Sequence, residues 1–267
     1  MNSFGQKIKA LVSGIDNPRP VNKVVPNNKF ETIHLKSNKE IECWWIKKDS
    51  SKGSVILFHG YGGSKSTMLD KANFFYELGY NALLVDFMGS GGSEGNQTTI
   101  GFYEALQVKT ALDYLTTHGE KNVILFGTSL GAVAIMKAVA DHNCNASFLI
   151  LECPFGTMLE TVQARFSAIN IPSFPMANLL VFWGGALNGF NAFSHNPVKY
   201  ASHIRTPTLL LYGEKDLKVS KKEIDLIYSN LDCRKQLKTY RLAGHENYLN
   251  KYADQWKNDI RNFLSIK

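Results

Sequence analysis

From residue 55 onward, short and continuously apolar runs alternate with helix-length amphipathic segments, and few folds satisfy that alternation. The runs cover residues 55–58, 82–86, 123–126, 148–152, 208–212 and 237–242. Each is too short for a buried helix and apolar on both faces, as a strand is when helices cover its sheet on either side. Between them, residues 65–78, 99–118, 130–141, 221–229 and 247–264 read as helices, the connections that parallel neighbours require. Right-handed crossovers then give one doubly wound, mostly parallel α/β sheet. Upstream, residues 30–35 and 41–46 alternate in polarity and are joined through Ser37, Asn38 and Lys39, which predicts an antiparallel hairpin. The expected organisation is an N-terminal helix and connector over residues 1–29, then one α/β domain over 30–267.

One segment breaks the rhythm. Residues 154–206 contain no clear strand, are punctuated by Pro172, Pro175, Gly184, Gly185 and Gly189, and are rich in large apolar side chains. An insertion of that length in a compact domain is usually functional. It follows the carboxyl end of a strand and so overhangs the crevice where α/β sheets bind ligands, which predicts a short apolar cap. Helical pieces are expected over 157–169 and 177–183. Phe155, Met158, Phe182 and Trp183 are its candidate substrate-binding residues.

Charge and cysteine usage narrow the partners. The net charge of +7 is spread over scattered lysines rather than gathered in a stripe with interleaved aromatics, so no nucleic acid partner is expected. No apolar run approaches the ~18 residues of a membrane span. Ile8, Leu11, Val12 and Ile15 fall at helical spacing beside Lys7 and Lys9. A short helix docked on the body is expected there, with peripheral membrane contact through residues 1–15 as the weaker alternative. The apolar stretch breaks at Gly14 and Asp16, so no secretory signal is expected. Cys43, Cys144, Cys153 and Cys233 have neither metal-site spacing nor disulfide density, and a cytoplasmic location is expected.

The chemistry concentrates in Gly127, Thr128, Ser129, Leu130 and Gly131, which follow one apolar run directly and open a helical segment. That placement is a nucleophile elbow, a sharp strand-to-helix turn that lifts a serine hydroxyl above the sheet. A hydroxyl becomes nucleophilic only beside a base that takes its proton, and the base must be oriented by an acid. Asp216 lies just past the run 208–212, and His245 lies just past the last run. The order is Ser, Asp, His, with all three at the carboxyl edge of the sheet. Glu152 and Asp86 compete for the acid; Asp86 reads better as a loop-organising residue. The remaining histidines, His34, His59, His118, His142, His195 and His203, lack the position after a late strand.

Two further landmarks accompany these: His59, Gly60, Tyr61, Gly62, Gly63 and Ser64 after one strand, and Asp86 through Ser93 after the next. Together the five landmarks resemble those of the α/β hydrolase superfamily, in order, over roughly residues 30 to 265. The resemblance implies Ser129 as nucleophile, His245 as general base and then acid, and Asp216 as the group that fixes the imidazole tautomer. It implies an oxyanion hole from the backbone amides of Tyr61 and Leu130. Met88 stands where many relatives carry an arginine, which leaves the anchoring of the glycine-rich loop open. The expected activity is that of a serine hydrolase cleaving an ester or thioester of a small apolar acyl or aryl substrate, with no metal and no cofactor. A peptidase or amidase of the same fold is the alternative, and a catalytically silent ligand-binding protein is the alternative of another class.

Overall fold

The structure, a computed structural model, describes residues 19–265; the helix expected over residues 1–15 lies outside them. Eight strands form one sheet: β1 (Phe30–Leu35), β2 (Ile41–Ile46), β3 (Ser54–Phe58), β4 (Asn81–Val85), β5 (Val123–Thr128), β6 (Phe148–Glu152), β7 (Thr208–Gly213) and β8 (Lys235–Tyr240). Their order is β1-β2-β4-β3-β5-β6-β7-β8. β1 pairs antiparallel with β2 and β2 antiparallel with β4, and every later pair is parallel. The helices are α1 (Leu69–Glu77), α2 (Glu104–Thr117), α3 (Leu130–His142), α4 (Met158–Ala168), α5 (Met176–Leu187), α6 (Pro197–Ala201), α7 (Lys221–Asn230), α8 (Tyr248–Lys251) and α9 (Ala253–Ser265).

Strand alternation divides the core into two layers. Ile56, Phe58, Leu125, Leu149 and Leu210 face Val108, Leu112, Val133 and Ile224 of α2, α3 and α7. Val55, Leu57, Ile124, Phe126 and Leu209 face Phe74, Phe75, Trp256 and Phe263 of α1 and α9. From β3 to β7 both faces of the sheet are therefore dry, which is why those strands read as unbroken apolar runs.

Where the elements depart from sequence expectation, a local cause is visible. The helix expected from residue 99 begins only at Glu104, because Ile100 and Gly101 both take positive φ (55° and 99°). The Glu104 carboxylate holds that turn through Thr99 N at 2.9 Å and Gly101 N at 3.0 Å. The last strand starts at Lys235 rather than 237, since β8 is a half-exposed edge strand whose lysines an apolar criterion misses. Between β6 and β7 the inserted segment is helical, with α4, α5, a 3-10 turn Ala192–Ser194 and α6. Buried His195 ties it to the body. One ring nitrogen lies 3.0 Å from the Ile100 carbonyl and the other 3.0 Å from the Tyr200 hydroxyl, and burial pushes its pKa down to about 4.

One buried charge pair sits directly beneath the elbow. Glu152, at the end of β6, accepts from Lys71 Nζ at 2.8 Å, Thr128 Oγ1 at 2.9 Å and Trp256 Nε1 at 2.7 Å. Its side chain is fully occupied as a clamp between α1, β5 and α9. Glu152→Gln strands the buried Lys71 ammonium, so it should lower unfolding stability by about 3 to 5 kcal/mol in urea titrations. A loss below about 1 kcal/mol would show that the pair is not the clamp described.

Candidate active site

Ser129 sits between β5 and α3 at φ 52°, ψ −109°, a region L-residues rarely adopt. The glycines on either side explain why it is held there. A Cβ on Gly127 would lie 2.5 Å from the Gly131 carbonyl carbon, and one on Gly131 would lie 2.4 Å from the Phe58 oxygen. Strand, turn and helix therefore approach more closely than any other residue type permits. The turn is pinned from β6, where the Glu152 carbonyl accepts from Ser129 N at 2.8 Å.

Ser129 Oγ lies 3.1 Å from His245 Nε2, and His245 Nδ1 lies 2.7 Å from Asp216 Oδ2. The other Asp216 oxygen accepts from the backbone amides of Lys218 at 2.7 Å and Val219 at 3.0 Å. An ionised carboxylate only accepts, so Nδ1 carries the ring proton and Nε2 turns its lone pair to the serine. Asp216 is fully buried, while Ser129 and His245 stay partly open. The three residues singled out from the sequence thus meet in one hydrogen-bonded line. Glu152, the competing acid, is committed elsewhere.

Cys153, immediately after β6, is a fourth member of this cluster, not among the residues singled out from the sequence. Its backbone is also at positive φ (41°), and its Sγ lies within 4.8 Å of donor atoms of both Asp216 and His245. Among the described residues these three are the group near enough to offer donors to one metal ion. As they stand, the 2.7 Å between Nδ1 and Oδ2 is shorter than the roughly 3.3 Å separating two ligands of a tetrahedral ion. The imidazole and the carboxylate are hydrogen-bonded to each other rather than spaced around an ion. Burial alone would lower the His245 pKa, but the Cys153 sulphur and the Asp216 carboxylate outweigh it and push it up to about 10.

The turn after β3 is braced against the loop after β4. His59 Nδ1 donates to the Gly60 carbonyl at 2.8 Å, and its Nε2 accepts from Phe87 N at 3.1 Å. Asp86 accepts from Lys65 N at 2.7 Å, Gly92 N at 3.0 Å and Asn22 Nδ2 at 2.8 Å, besides an ion pair with Lys65 Nζ. A Cβ on Gly91 would lie 1.8 Å from that carboxylate. A guanidinium reaches this loop from elsewhere in the chain. Arg19, ahead of β1, donates to the carbonyls of Gly91 at 3.1 Å and Ser90 at 3.3 Å, and also to Ser93 and Gly95.

Tyr61 and Leu130 line one cavity of about 650 Å³, together with His59, Gly60, Phe87, Met88, Ile100 and the polar Arg19, Asn96, Gln97, Thr98 and Asn188. The four cap residues singled out for substrate contact do not line it. Phe155 and Met158 are buried, Phe155 against the His195 ring and Met158 against Val181 and Ala192. Phe182 and Trp183 face outward, 54% and 57% exposed. The cap instead reaches this cavity through Asn188, at the end of α5.

Residues 49–198 match the family described as serine aminopeptidase, S33. The chain belongs to this family. Within the α/β hydrolases, it is 24% identical over 229 residues to the uncharacterized protein YqkD of Bacillus subtilis, covering 84% of this chain and 75% of that one. It is 28% identical over 188 residues to the lysophosphatidylserine lipase ABHD12 of Danio rerio, covering 65% of this chain but only 46% of the lipase. The fold of the Pyrococcus furiosus esterase Pf2001 superposes with a TM-score of 0.77 at 22% identity, covering 92% and 97% of the two chains. The Exiguobacterium antarcticum esterase EaEST gives 0.66 at 19% identity, covering 87% and 99%.

In this hydrolase Cys153 and Arg19 are the residues that sequence reasoning missed. For Cys153 a signal existed in its position, the first residue past the strand lying between those that carry Ser129 and Asp216. Because its sulphur helps to hold a proton on the imidazole, Cys153→Ala should lower the His245 pKa, read from the ring proton shifts in a nuclear magnetic resonance titration. An unchanged or higher value would remove Cys153 from the site.

Proposed function

We propose that this α/β hydrolase is a serine esterase or thioesterase acting through an acyl-enzyme on a small acyl or aryl substrate. The observation that supports the reading best is the continuous line from Ser129 Oγ through His245 to Asp216, at 3.1 and 2.7 Å. Ser129 attacks the carbonyl while His245 Nε2 takes its proton, and the imidazolium is stabilised by Asp216. The amides of Tyr61 and Leu130 are assigned to the developing oxyanion; each such donor is typically worth about 2.7 to 4 kcal/mol. His245 returns the proton to the leaving group, and water then repeats the sequence to release the acid. No step needs a metal or a cofactor.

The ester reading draws support from the esterases and the lipase among the similar proteins. The family description favours cleavage of an aminoacyl amide instead, which is the second reading. The polar side of the cavity, from Arg19, Asn96, Gln97 and Asn188, suits a substrate with a polar group beside the scissile bond. Its four cysteines are free thiols, which supports a cytoplasmic setting.

Nitrophenyl esters of increasing chain length, run beside aminoacyl nitroanilides, test the assignment. Turnover of esters above nitroanilides is expected, and turnover of neither would favour a silent binding protein. Asp216→Asn should cut kcat by about 10⁴-fold with the fold intact, whereas an effect that large from Glu152→Gln without unfolding would overturn the choice of acid. Neutral imidazole is the working base and its pKa is raised, so kcat/KM should climb with pH through an inflection above the ordinary histidine value of about 6.5. A flat profile from neutral to alkaline pH would contradict that role.

A further inference from the structure

The outer face of the cap is apolar where a water-facing surface should be polar. α5 is buried along one seam only, Ala177, Val181 and Gly185, spaced four apart. Small residues form that seam because the chain behind it is close: a Cβ on Gly185 would lie 2.5 Å from the Phe190 oxygen. The large side chains Phe174, Met176, Leu179, Phe182, Trp183 and Leu187 are left facing outward, with Phe174 77% and Leu187 82% exposed. An ordinary surface helix has the opposite arrangement. No Asp, Glu, Lys or Arg occurs anywhere in residues 166–198, so covering this face desolvates no ion.

The same edge of the sheet carries two further exposed apolar tips. Leu217, 87% exposed, projects from the loop after β7 between exposed Lys215 and Lys218, and exposed Leu242 follows Arg241 after β8. Glu214 and Glu246 are the exposed acids of these two loops, and Glu246 is engaged by Lys251 at 2.9 Å. Aromatic and aliphatic tips flanked by cations match a bilayer interface, where apolar groups enter the acyl boundary and lysines stay among acidic headgroups. A second copy of the chain would bring the same net charge of +7 against the same cations.

We infer that the outer face of α5, with the rim at Leu217 and Leu242, docks the protein peripherally on an anionic lipid bilayer. Docking would set Asn188 and Leu187, which line cavities beside the glycine-rich loop, next to the lipid. An amphiphile leaving the bilayer would then enter at the proposed site, a consequence that rests on the hydrolase reading.

The test uses the full chain and unilamellar vesicles of phosphatidylcholine, with or without about a third phosphatidylserine. Trp183 is a built-in reporter, because Trp44, Trp45 and Trp256 are buried. The expected result is co-flotation with the anionic vesicles, a blue shift of Trp183 emission and its quenching by brominated acyl chains. The variant Phe174→Ser, Phe182→Ser, Trp183→Ser should partition at least about tenfold more weakly while keeping its circular dichroism melt. Leu217→Ser with Lys218→Glu, which leaves the cap intact, should weaken flotation in the same direction. Ser129→Ala should float as the unaltered chain does, so loss of hydrolysis and loss of docking are read separately. Several results would overturn the proposal: no flotation and no spectral shift, undiminished flotation of the cap variant, or equal binding to uncharged vesicles. A Trp183 shift that follows protein concentration without lipid, with doubled mass in sedimentation, would assign the face to a second copy instead.

Discussion

The structure turns on a backbone that is forced into place at Ser129. A non-glycine residue in that region costs of order 1 to 3 kcal/mol and persists only where its surroundings over-determine it. Here they do: Gly127, Gly131 and the Phe58 carbonyl are packed to the limit of close approach, and Ser129 N is bound to the Glu152 carbonyl. The Glu152 side chain in turn joins Lys71, Thr128 and Trp256. The hydroxyl is thereby fixed without help from a substrate, so the alignment with His245 is built before any ligand arrives.

The second strained position, Cys153, stands one strand away and faces the same imidazole. The Cys153 sulphur and the Asp216 carboxylate both act to raise the pKa of the His245 imidazole. Arg19 serves the opposite rim. It gathers the carbonyls of the glycine-rich loop from a segment distant in the chain.

Much of this was legible in the residues, and the exceptions have physical reasons. Parallel strands buried on both faces announce themselves as apolar runs, so β3 to β7 were placed well. The edge strand β8, solvated along one side, was shifted by two residues. The elbow, Asp216 and His245 were legible because each occupies a short turn at a fixed offset from a strand end. Burial within the cap was not legible, since nothing in its composition says which face of α5 turns inward. Phe155 and Met158 went to the interior and Phe182 and Trp183 to the outside, while the cavity drew on Asn96, Gln97 and Asn188 instead. Arg19 acts through long-range contacts, which no local pattern encodes, whereas Cys153 was marked only by its place at a strand end.

The central claim is that one hydroxyl, at position 129, is made nucleophilic by its histidine. Incubation with a fluorophosphonate followed by mass mapping of the digested chain tests it most directly. A single adduct on the peptide carrying Ser129, formed rapidly and lost in His245→Ala, is the result this account requires. An unlabelled Ser129, or a label carried by another residue at the same rate, would contradict it.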